Sequence, residues 1–83
     1  MPSIYVLDVP EFRCLLEEAG KIPHYHVTFA GRGYYRIESE SDLVFHRKHL
    51  GVKPAVWYGL FTGGLAGRIA QFDRDTVRIV DES

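Results

Sequence analysis

The spacing of apolar residues changes period several times along this chain, and each change predicts an element. Ile4 to Val9 is rich in β-branched and aromatic residues, which predicts a strand ended by Pro10. Over Glu11 to Ala19 the apolar positions become Phe12, Leu15, Leu16 and Ala19. This is the i, i+3, i+4, i+7 spacing of a helix face, with Pro10 suited to its first turn and Gly20 to its end. From His24 to Glu38 the pattern returns to strict alternation. Tyr25, Val27 and Phe29 form one face and His24, His26 and Thr28 the other. Beyond Gly31-Arg32-Gly33, Tyr35 and Ile37 are the apolar set and Tyr34, Arg36 and Glu38 the polar one.

Like faces must align across such a hairpin. That places Phe29 opposite Tyr35, Thr28 opposite Arg36 and His26 opposite Glu38, and it leaves Gly31-Arg32-Gly33 as a three-residue loop with a glycine in the left-handed region. A cross-strand His26–Glu38 pair is expected. Ser41 and Asp42 then offer an N-cap for a second helix to about Leu50, with Leu43, Val44 and Leu50 inward, Lys48 and His49 at its negative end and Gly51 beyond it. Ala55 to Phe61 reads as a fourth, largely buried strand, and Gly63, Gly64 and Gly67 as a bent connector. Arg68 to Phe72 and Val77 to Val80 close the chain as a hairpin around Asp73-Arg74-Asp75-Thr76.

This order predicts one α+β domain over residues 1–83. Two β-α-β halves around a central hairpin give a ferredoxin-like β-α-β-β-α-β plaited sheet, with both helices on one face and an additional C-terminal hairpin. The face away from the helices then carries His24, His26, Tyr34 and Arg36 and becomes the surface of interest.

Composition narrows the function classes. At 46% hydrophobic and 13% aromatic residues the chain should fold, but its 83 residues bury only about two-thirds of the unfolded surface, so a homodimer is expected. Cys14 is the single cysteine, which excludes an internal disulfide and a Cys-x-x-Cys pair and suits a reducing, cytoplasmic setting. The uncharged run from Pro54 to Gly67 has 14 positions, short of the roughly 20 a membrane span needs. The net charge of −1 is unevenly spread: residues 1–20 carry −3, residues 21–53 carry +3 and residues 54–83 carry −1. The middle of the chain can meet an anion, although bulk charge does not mark a nucleic-acid binder.

Few residues point to chemistry. His24 and His26 share a strand face, and His46 and His49 lie three apart on the expected second helix, but these two pairs should fall on opposite sides of the sheet. No metal and no cofactor is expected. The glycines before Arg68 lack the Gly-Lys-Ser/Thr of a phosphate loop and read as bends, with Arg68 as a possible anion contact. Cys14 lies off the apolar stripe beside Glu17 and Glu18, in the position of an inert thiol. Trp57, with Tyr58 and Phe61, suits a core strand or the lining of a pocket or dimer seam.

Two segments resemble a known family. Ile4-Tyr5-Val6-Leu7-Asp8-Val9 is similar to the first-strand hexamer of RNA recognition motif domains, with Asp8 and Val9 in place of Asn and Leu. Arg32 to Ser39 is similar to that family's octamer in its basic residue, glycine, first aromatic and isoleucine, and it departs at Arg36 and Ser39, where aromatic residues are usual. Over roughly residues 3–50 this resemblance implies that Tyr5 and Tyr34 stack on bases and that Arg36 stacks or contacts phosphate. The residues alone favour a binding or interaction domain that uses its sheet face, with a protein or RNA partner. The enzyme alternative is a cofactor-free, dimeric ferredoxin-like barrel with His26 as base beside Tyr34, Arg36 and Trp57.

Overall fold

A computed structural model of the chain describes residues 1–81. Strand β1 (Ser3–Leu7) leads through a 3-10 turn at Pro10–Phe12 into helix α1 (Arg13–Gly20), followed by the hairpin β2 (Tyr25–Gly31) and β3 (Tyr34–Ser39). Strand β4 (Leu43–His46), helices α2 (Arg47–Leu50) and α3 (Pro54–Tyr58), the short strand β5 (Leu65–Ala66) and the hairpin β6 (Arg68–Phe72) and β7 (Thr76–Val80) complete the order. The fold is α+β with two antiparallel sheets, ordered β2-β3-β1-β5 and β4-β7-β6. No helix among the described residues is long and apolar enough to cross a membrane.

The first half follows from its alternation. Phe29 lies opposite Tyr35, Thr28 opposite Arg36 and His26 opposite Glu38, in the register that matched faces require. The loop is tighter than expected. Gly31 pairs with Tyr34 across a two-residue turn in which Arg32 and Gly33 both have positive φ (56° and 79°), and the register shifts between Phe29 and Gly31. β1 adds to β3 with Ile4 against Ile37 and Val6 against Tyr35, and α1 turns Leu15 and Ala19 into the same core.

The second half departs from the sequence pattern. The sequence predicts a helix from a Ser41-Asp42 N-cap to about Leu50, but Leu43 and Phe45 point inward while Val44 and His46 point outward, the period of two that defines β4. Only Arg47–Leu50 coils. Ser41 and Asp42 cap nothing; they turn the corner after β3, where the buried Ser39 hydroxyl donates to Asp42 O (2.9 Å) and accepts from Ser41 N (3.1 Å).

Residues 55–61 do not form the expected fourth strand. Pro54 opens α3, in the first turn where its missing N–H costs nothing, and Trp57 and Leu60 are buried three residues apart while Tyr58 between them is exposed. The second helix and fourth strand of the plaited arrangement are therefore absent from these segments, and β4 instead joins the C-terminal hairpin in a sheet of its own. That hairpin forms where its alternation places it, with Phe72 against Val77.

One core serves both sheets, since Ile4, Val6 and Ile37 from the first and Leu43, Phe45, Val77 and Ile79 from the second belong to one buried cluster with Leu15 and Trp57. Two side chains tie the parts together. The Tyr25 hydroxyl donates to Val44 O (3.0 Å) and accepts from Val44 N (2.7 Å), joining β2 to the outer edge of β4. The Trp57 indole donates to Asp73 O (2.7 Å), joining α3 to the β6–β7 turn. The Asp73 carboxylate in turn accepts from the Gln71 amide and from the backbone N–H groups of Asp75 and Thr76.

The Tyr25 tie and the Asp73 carboxylate have pH signatures. Burial pushes the Tyr25 phenol up, its bond to the Val44 backbone opposes this, and the charge of Asp42 adds to the rise. Folding therefore gains from Tyr25 below the unfolded tyrosine value near 10 and loses that gain as pH rises through the folded value. Tyr25→Phe should cost about 1–3 kcal/mol at neutral pH, because both polar groups of Val44 lose their partner. Urea titrations across alkaline pH should show the difference from wild type shrinking above pH about 10.

The Asp73 carboxyl is held below its ordinary range, chiefly by the Gln71 amide and then by the N–H groups of Asp75 and Thr76. Its contribution is present above the unfolded value of about 3.9 and is lost as pH falls through the lowered folded value. Asp73→Ala should lower the thermal midpoint at neutral pH, and this deficit should close in acid.

Candidate functional site

Alternation across three strands sorts the side chains of the first sheet into two faces. Ile4, Val6, Ile37 and Tyr25 are buried on one. On the other, the registers set Tyr5 beside Arg36 and Arg36 beside Thr28, with Ser3, Glu38 and His26 forming a second row and Leu7 and Tyr34 a third. Tyr5, Tyr34, Arg36 and Glu38 are half-buried and His26 and Thr28 exposed, while Ser3 is buried and Leu7 packs against the core, so most of this face lies outside the core.

Arg36 lies at its centre. Its Nε is shut off from solvent with no acceptor, and none of the ion pairs among the described residues includes it. The register sets Tyr5 directly beside it on β1.

The histidine is paired differently from the expectation. His26 does lie opposite Glu38 in the ladder, but its Nε2 sits 2.9 Å from Glu40 Oε2, two residues further along the chain. Glu40 follows the end of β3 and can turn toward the ring, whereas Glu38 is fixed in the strand. Both partners of the pair are about half exposed, so it orients the imidazole and adds little stability.

Tyr34 is held from above. A Cβ built at Gly63 would lie 2.3 Å from Tyr5 O and 2.9 Å from Tyr34 Cε1, so the chain between α3 and β5 packs against the edge of β1 and one side of the Tyr34 ring. Only glycine fits there. Tyr5 N donates to Gly64 O (3.0 Å) in the same contact. This restraint had no clear sequence signal, because Gly63 sits among other glycines.

The remaining candidates are dispersed. His24 precedes β2 and stands edge-on to Tyr25, with ring centroids 4.8 Å apart, so it borders the face. Arg68 is exposed on β6, in the other sheet. Trp57 is completely buried and spends its indole N–H on Asp73 O, on the core side rather than on the face that carries His26, Tyr34 and Arg36. The set proposed for enzymatic chemistry is thus not assembled.

His46 and His49 do meet, with ring centroids 5.3 Å apart beside Thr76, and with Lys48 and Asp75 they line a shallow cleft of about 360 Å³. No group of three or more His, Cys, Asp or Glu side chains among the described residues is arranged to hold a metal. Cys14 is exposed on α1.

Compared with known proteins, the chain matches no protein-family model and has no significant match among curated proteins.

Gly63→Ala should destabilise the fold by about 1–3 kcal/mol through overpacking against backbone. The same variant should perturb the Tyr34 ring resonances in NMR spectra more than those of Tyr58, which is exposed on α3.

Proposed function

We propose that this chain is a cytoplasmic, homodimeric binding module that recognises an anionic partner through the β2-β3-β1 face. The observation that carries this reading is Arg36, a cation without a carboxylate partner among the described residues, set between Tyr5 and Thr28 on the face turned away from the core. A flat sheet that offers a guanidinium with aromatic neighbours suits an extended chain with repeated negative groups, such as single-stranded RNA, in which bases stack on Tyr5 and Tyr34 while Arg36 meets phosphate. The resemblance of Ile4 to Val9 and of Arg32 to Ser39 to RNA recognition motif segments supports the same assignment, since both segments lie in the central strands β1 and β3.

The test is an NMR titration of labelled protein with a short oligouridylate and, separately, with a polyglutamate peptide. Shifts should be confined to Tyr5, Thr28, Tyr34, Arg36 and their neighbours, weaken steeply with added salt and vanish in Arg36→Ala. A response to oligouridylate alone identifies RNA as the partner class, and one to polyglutamate alone identifies an acidic protein. If neither probe moves these resonances, or if Arg36→Ala responds like wild type, the reading fails.

A further inference from the structure

Each sheet ends in two edges, and the four edges are not alike. β4 is four residues long, and the outward N–H and C=O of Val44 are already taken by the Tyr25 hydroxyl. β5 has two residues. β6 begins with Arg68 and is interrupted by a register shift between Ile69 and Gln71. These are the usual ways of blunting an edge.

β2 has none of them over most of its length. It runs seven residues, Tyr25 to Gly31, without a lysine, an arginine, an acidic residue or a proline, and its register shift falls only after Phe29. Phe29 is 61% exposed, a large apolar side chain at the border of the sheet.

The direction of the backbone groups on β2 follows from the ladder. Glu40 N donates to His24 O, so His24 and the residues two and four further on, His26 and Thr28, point their N–H and C=O toward β3. Tyr25, Val27 and Phe29 point theirs outward. Tyr25 N is spent on Ile22 O, which leaves Val27 and Phe29 with a complete outward donor and acceptor each.

We infer that β2 pairs antiparallel with β2 of a second copy of this chain about a two-fold axis at Thr28. In that register Val27 faces the partner's Phe29 in a hydrogen-bonded pair, and the two-fold repeats the contact, so four outward backbone groups on each copy find partners. Thr28 meets its own copy, and His26 meets the partner's Ala30. A two-fold contact sets the strand against a copy of itself, so a charged strand would repel its partner. β2 carries no formal charge apart from His26, whose ring is already engaged by Glu40. The pairing also covers Phe29 and makes one eight-stranded sheet with Arg36 from both copies on the same face. A strand-edge interface of this kind lies at the small end of stable interfaces, so the dimer should be weak and concentration-dependent.

The inference deepens the homodimeric part of the reading above by naming the surface, and it does not depend on the ligand. Light scattering over a concentration series should show reversible dimerisation, and Phe29→Lys should raise the dissociation constant by at least about tenfold while leaving the circular dichroism spectrum unchanged. In a Cys14→Ser background, Thr28→Cys should form a disulfide-linked dimer under mild oxidation, because directly opposed residues of a non-hydrogen-bonded pair lie about 4.5 Å apart at Cα, within disulfide reach. Ala30→Cys, whose two copies lie well apart in this register, should not. A protein that stays monomeric at every concentration sinks both the dimer and this interface. A dimer that survives Phe29→Lys, or that links through Ala30→Cys and not Thr28→Cys, keeps the dimer and overturns the β2 pairing.

Discussion

Two sheets in a chain this short need a joint that satisfies polar groups where they meet, and the Tyr25 hydroxyl supplies it. A phenol both donates and accepts, so one side chain closes the N–H and the C=O of Val44 together. An apolar residue at position 25 would pack as well and leave two backbone groups of β4 without partners near the core. The same contact draws the Tyr25 ring against Phe45, with centroids 5.9 Å apart, and so registers the first sheet on the second. Trp57 does the equivalent at the other end. Its ring fills the core, and its N–H fixes the turn that orders β6 against β7.

The legibility of the fold tracks the strength of the period. Between Tyr25 and Ser39 the alternation is strict on either side of the loop, and the register of β2 on β3 could be written down as far as Phe29 and Tyr35, although the loop is one residue shorter than it predicts. Between Leu43 and Leu60 the apolar runs are short and the signals compete. Leu43-Val44-Phe45-His46 has β-forming residues in alternation, but Ser41-Asp42 before it has the chemistry of a helix cap. Burial decided the matter: inward Leu43 and Phe45 complete the core beside Val77 and Ile79. Ala55 to Phe61 is the opposite case. Its aromatic content suggests a strand, yet Pro54 at the start and the i, i+3 spacing of Trp57 and Leu60 are helical features, and a run of this length does not separate the two by pattern alone.

The candidate face was readable for the same reason as the hairpin that bears it. Tyr5, Tyr34, Arg36 and His26 alternate with core residues, so their common side follows from the pleat. Contacts made by flexible ends were not readable. Glu40 takes His26 because it lies past the last ladder residue, and Gly63 reaches Tyr34 because the chain returns beside β1 after α3, a path the sequence does not specify. Trp57 was readable as a core residue but not as a helical one, and only the packed structure shows that its polar atom is spent inside the molecule.

A flat face limits what a single copy can do. Stacking contributes about 1–3 kcal/mol per base, and one chain offers Tyr5 and a partly covered Tyr34, so its affinity for an extended ligand would be modest. Deepening the site would require a pocket, but Ile4, Val6 and Ile37 beneath Tyr5 and Arg36 are already committed to the core. Widening it costs the core nothing. Continuing the sheet across β2 adds a second Arg36 and a second pair of tyrosines on the same side, and a ligand long enough to touch both copies gains from the high local concentration of the second set. In the proposed dimer the unprotected β2 edge and the half-buried Tyr5–Arg36 face would act together, the domain gaining binding surface by extending its sheet.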